Sequence, residues 1–135
     1  MISRFSLENR TGYDTSDLRR FFARGLRAMG IRARSETEDP NVLEIVVVAA
    51  PARSRGCAEV RGHRMVIALA SPAHLSMRRL ARLLEHEAAH IQGLDHEDMP
   101  RKLLFSLGPT PRWARGFRLR YRGRAPNQLG LMRQR

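Results

Sequence analysis

Eleven residues, HEAAHIQGLDH from His86 to His96, limit more than any other stretch what this 135-residue chain can fold into. Side chains four apart on a helix project from the same side one turn apart, so His86 and His90 face a common point. Met77, Leu80, Leu84, Ala88 and Ile91 recur at helical period on a different stripe, which predicts a helix over about 75–92 that buries one face and offers the other to a cleft. Gly93 can take the left-handed backbone that ends a helix and turns the chain back, which would bring His96 round as a third nitrogen ligand. Three neutral imidazoles leave one position open on a tetrahedral zinc, and an open position separates a catalytic site from a structural one. The spacing therefore predicts one Zn2+ per chain on His86, His90 and His96, with Gly93 as the structural turn. His63 and His74 stand alone near strand ends and are expected to take no part.

The remaining elements give this helix something to pack on. Ile2–Leu7 reads as a strand and Asn9–Gly12 as a turn. Leu18, Phe21, Phe22, Leu26 and Met29 predict a helix over about 16–29, capped by Thr15 or Ser16 and closed at Gly30. Leu43–Ala50 is an apolar, β-branched run between Pro40-Asn41 and Pro51, the pattern of a strand buried on both faces. Met65–Ala70 repeats it after a turn at Arg61-Gly62, so the two are expected to be neighbours. The order strand, helix, strand, strand, helix predicts an α/β (α+β) single domain: a mixed sheet of three or four strands, a backing helix and an active-site helix.

Composition narrows the class further. A single Cys57 excludes an internal disulfide and any cysteine-based zinc knuckle. The longest apolar stretch, Ile45–Pro51, is far short of the roughly 20 residues of a membrane-spanning helix, and the first ten residues lack the apolar core of a secretory signal, so a cytoplasmic location with no membrane partner is expected. The net charge is +12, and Lys102 is the only lysine beside 24 arginines. Most of the excess lies in residues 101–135, with ten basic and no acidic side chains. There Trp113, Phe117 and Tyr121 are spaced by four among Arg112, Arg115, Arg118, Arg120, Arg122 and Arg124. That pattern suits nucleic-acid contact, an apolar helix face packed on the core, or a segment lying across the cleft. Residues 1–111 are read as the catalytic domain and 112–135 as a basic extension of the same domain. Packing is expected for Trp113–Tyr121, and disorder or cleft contact from Arg122 onward.

The same residues resemble a family pattern. His86, Glu87, His90, Gly93 and His96 match the metzincin zinc-peptidase signature H-E-x-x-H-x-x-G-x-x-H at all five defined positions. The resemblance implies a zincin fold and a peptide or protein substrate, with Glu87 as general base acting on a zinc-bound water. It also implies a cleft-lining strand ahead of the helix, here Met65–Ala70, and a methionine turn, for which Met132 is the candidate because Met99 stands too close to His96. The chain is similar, secondly, to the YbeY-like bacterial endoribonucleases, whose H-x-x-x-H-x-x-G-x-D-H pattern His86, His90, Gly93, Asp95 and His96 satisfy. Position 87 discriminates, being typically glycine there and glutamate here, whereas Asp95-His96 and the basic charge pull toward RNA. Zinc-dependent peptide hydrolysis is the expected activity. A metal-dependent endoribonuclease and a non-catalytic, zinc-stabilised RNA- or protein-binding module are the alternatives.

Overall fold

The computed structural model describes residues 5–31 and 43–123. Strands β1 (Phe5–Asn9), β2 (Leu43–Ala49), β3 (Gly56–Arg61) and β4 (Arg64–Leu69) accompany helices α1 (Thr15–Ala28), α2 (Met77–Ile91) and α3 (Arg101–Leu104). The four strands form one sheet in the order β1-β2-β4-β3. β1, β2 and β4 are parallel, and β3 returns antiparallel to β4, making the sheet mixed. The expected small α/β domain is thus present, with Leu43–Ala49 and Arg64–Leu69 as neighbours in the register Ile45↔Met65 and Val47↔Ile67. Of the expected Ile2–Leu7 strand, residues 2–4 lie outside the described residues.

Several local expectations are corrected. Asp14, not Thr15 or Ser16, caps α1, its carboxylate accepting from the Asp17 N–H at 3.0 Å. Gly30, at φ +77°, closes the helix with Ile31 N–H donating to Leu26 O. β2 is not buried on both faces. Leu43, Ile45 and Val47 enter the core with Leu18, Phe21, Phe22 and Leu26 of α1 and Leu80 and Leu84 of α2, whereas on the other face Val46 is covered, Glu44 exposed and Val48 half-buried. β3, absent from the sequence reading, forms the hairpin whose turn was expected at Arg61-Gly62. Cys57 lies exposed on it.

The C-terminal segment packs on the core without forming the helix its four-residue spacing suggested. A single 3-10 turn, Arg112–Ala114, precedes Gly116 at φ +74°, where helical continuation is lost. Ala114 is buried, and the Trp113 and Phe117 rings lie 5.2 and 5.5 Å from the Phe21 ring. The chain then crosses Tyr13, Tyr121 pairing with it edge-on at 5.0 Å while half its own surface stays in solvent. Among the described residues no helix is long and apolar enough to cross a membrane.

Candidate metal centre

Ser76 starts α2 by accepting from the Arg79 N–H. Leu80, Ala81, Leu84 and Ala88 bury one stripe of the helix, while Met77 and Ile91 at its ends are only partly covered. His86 and His90 project the other way, into a cleft of about 680 Å³ between α2 and the edge strand β3. Gly93 ends the helix at φ +95°, with Gly93 N–H bonded to His90 O and Leu94 N–H to Ala89 O, both at 3.0 Å. This paired closure satisfies two carbonyls that a helix end leaves orphaned. Asp95 then runs extended into a 3-10 turn, His96–Asp98, which delivers His96 to the other two rings.

His96 Nε2 lies 3.3 Å from His86 Nε2 and 3.1 Å from His90 Nε2, and ligand atoms of all three residues fall within 4.8 Å of one another. The far nitrogens are committed elsewhere: His86 Nδ1 bonds Leu103 O at 3.1 Å and His90 Nδ1 bonds Leu94 O at 2.9 Å. A carbonyl only accepts, so each Nδ1 carries the proton and each Nε2 presents a lone pair. Three such nitrogens cannot satisfy one another, because His96 has at most one N–H to give to two acceptors. A cation satisfies all three. Metal–nitrogen bonds of about 2.0–2.1 Å at tetrahedral angles put ligand nitrogens about 3.3–3.4 Å apart, close to the separations found. The cluster can hold a metal ion, and carbonyl partners on Nδ1 are the usual means of orienting such ligands. Burial lowers the His86 imidazole from its ordinary value, the Leu103 carbonyl opposing this and the neighbours His90 and His96 adding to it, a shift that favours the neutral form a ligand requires.

Glu87, between the two helix histidines, is 5% exposed and lines the same cleft. Burial pushes its carboxyl up to about 7, the His90 ring pulling it down and the Glu59 charge adding to the rise. It is not part of the three-nitrogen cluster. Neither is Asp95, which caps the 3-10 turn. His63 is exposed, and His74 sits against Ser71 Oγ, away from the cluster.

Other expected site residues fall elsewhere. The strand that lines the cleft is β3, through Ala58, Glu59 and Val60, and not Met65–Ala70, which lies one strand further in. None of Arg115, Arg118, Arg120 and Arg122 lines the cleft, so the described part of the tail does not lie across it. Arg120 and Arg122 instead bond carboxylates of α1 and its cap, Asp17 and Asp14. Met132 and Arg124 lie outside the described residues. Sequence reasoning missed the Leu94 and Leu103 carbonyls, since backbone acceptors leave no mark in a side-chain pattern. It also missed Glu59, whose alternation with Ala58 and Val60 was the available signal. In comparisons with protein-family models, curated proteins and solved structures, nothing matches this chain.

Proposed function

We propose that this protein is a zinc-dependent metallopeptidase. The observation that carries this reading is the convergence of three Nε2 lone pairs beside the buried Glu87 carboxylate, in a cleft open along one strand edge. Zinc held by His86, His90 and His96 would supply an activated water and a Lewis acid for the scissile carbonyl. Glu87 takes the proton of the attacking water on its carboxylate and passes it to the leaving amine. β3 ends the sheet, and the edge it turns to the cleft can take an extended peptide by main-chain hydrogen bonds, which aligns a peptide bond with the histidines. Among the described residues, the ionisable lining besides the histidines is Glu59, Glu87 and Asp95, with no arginine or lysine. Such a lining repels a phosphodiester backbone and tolerates a peptide.

The test is metal analysis of purified protein with parallel casein and RNA cleavage assays, on wild type and Glu87→Gln. The expected result is one zinc in both proteins, casein cleavage by the wild type alone, and no RNA cleavage by either. Unchanged casein cleavage in Glu87→Gln would overturn the mechanism. RNA cleavage that survives Glu87→Gln would move the activity to the ribonuclease class, and zinc without turnover would leave a binding module.

A further inference from the structure

We infer that the groove between α1 and the C-terminal segment binds the phosphate backbone of a single-stranded nucleic acid, at a site separate from the histidine cleft. The groove measures about 500 Å³ and shares no lining residue with the cleft. Arg20 and Arg24, one turn apart on α1, form one wall. Arg115, Arg118 and Arg120 form the other. The lining thus holds five guanidinium groups and a single carboxylate, Asp17, a charge of +4 among the described residues.

That carboxylate is already saturated. Its oxygens accept from Arg20 Nη2 at 2.6 Å, Arg120 Nε at 2.9 Å, Arg120 Nη2 at 3.0 Å and the Arg120 backbone N–H at 2.9 Å. Buried at the floor, it anchors two guanidiniums and has nothing left for the other three. Among the described residues, Arg24, Arg115 and Arg118 have no carboxylate at ion-pair distance. Arg24 is held over the Phe117 ring, 5.2 Å from its centroid, which orders a long side chain before any ligand arrives. Like charges that outnumber their counter-charges along one groove repel one another, and a ligand supplying several anionic oxygens relieves that repulsion.

The arrangement selects the kind of anion. Guanidinium groups match phosphate oxygens in a two-pronged geometry that an ammonium cannot copy. They stand in two rows along an open groove and not around one closed pocket, so they meet successive phosphates of a strand better than one free phosphate. The inference does not depend on what the histidine cleft hydrolyses.

The test is fluorescence anisotropy of a labelled oligouridine against the full-length protein over a salt series. The variant Arg24→Gln/Arg115→Gln/Arg118→Gln leaves the Asp17 bonds intact. It should keep the wild-type melting temperature and zinc content yet bind at least tenfold more weakly. Its log–log salt dependence should be shallower by about 2, at roughly 0.7 for each single-strand phosphate that is no longer neutralised. Arg115→Gln/Arg118→Gln, with both changes on exposed side chains, serves if the triple variant fails to fold, and its slope should be shallower by about 1.4. Wild-type affinity and slope in either folded variant would overturn the inference. So would displacement of the strand by tripolyphosphate at equal phosphate concentration, binding to phosphatidylserine vesicles but not to oligouridine, or loss of strand binding in His86→Ala.

Discussion

Asp17 and Arg120, 103 residues apart in the chain, are joined by three hydrogen bonds: two from the guanidinium, one to each carboxylate oxygen, and one from the Arg120 backbone N–H. The carboxylate sits almost fully buried on α1, whereas the guanidinium remains half in solvent. The C-terminal segment is thereby tied to the first helix at one point of fixed geometry.

This tie predicts the acid behaviour of the fold. The Arg120 guanidinium holds the Asp17 carboxyl well below the usual carboxylate range, burial opposing it and the Arg120 N–H and Arg20 adding to it. A carboxyl lowered on folding contributes stability in full above its unfolded value of about 3.9, and that contribution is lost as pH falls through the folded value. Asp17→Ala should cost about 2 kcal/mol at pH 7, mostly the charge-assisted hydrogen bonds. Urea titrations across pH should show wild type and variant converging below about pH 4. A constant difference at all pH values would contradict the assignment.

Each histidine ligand is expected to be necessary for metal. His86→Ala, His90→Ala and His96→Ala should each lose the zinc that the wild type carries. In calorimetry with zinc at about 1,000 times its dissociation constant, the wild type should gain about 4.1 kcal/mol of stability and the three variants almost none. Retention of a full equivalent by His96→Ala would show that the third nitrogen comes from elsewhere.

Gly93 is a backbone requirement and not a packing one, since a Cβ there would meet nothing within 4 Å. Gly93→Ala forces an L side chain into the left-handed region at about 1–2 kcal/mol. Any relaxation of that strain swings His96 away from its partners, so zinc affinity should fall together with melting temperature. Gly93→Asn, which tolerates this conformation better, should lie between the two. Equal zinc affinity in all three proteins would disconnect the turn from the site.

Gly25 has the opposite reason. A Cβ there would stand 2.5 Å from Leu84 Cδ2 and 2.7 Å from Trp113 Cη2, so α1 and α2 can approach and the indole can seat only over a bare backbone. Gly25→Ala gains up to about 1 kcal/mol of helix propensity and loses about 1–3 kcal/mol to overpacking. Net destabilisation should appear in thermal melts, and Gly25→Ala/Trp113→Phe should recover part of it by removing the outer ring.

The two long helices and the parallel strands were legible because their signal is periodic and lies within each element. The histidine pair was legible for the same reason, and Gly93 marked the turn. β3 was not, because GCAEVR carries only Ala58 and Val60 inward, small residues beside exposed Cys57, Glu59 and Arg61, and its pairing with β4 supplies the order that its composition does not. The tail misled by its aromatic spacing. Trp113 and Phe117 do reach one partner, Phe21, but from either side of Gly116, so the spacing of four came from a turn and not from a helix. The route of His96 to the cluster was readable from Gly93. The support of His86 by Leu103 depended on α3, which four residues of weak pattern could not announce.

The packing of Trp113, Ala114, Phe117 and Leu119 against a core begun by α1 also governs when the molecule can come into being on the ribosome. A nascent chain that has emerged only to residue 111 holds every described strand and both long helices but leaves Phe21 uncovered and Asp17 without the Arg120 partner it needs, so closure of this core waits on the emergence of residues 112–120. Ribosome-stalled chains exposing residues up to 111 should be digested rapidly by protease, and those exposing residues up to 123 should resist it. Arg120 thus emerges 103 residues after the Asp17 carboxylate that it binds, and the carboxylate has no such partner until then.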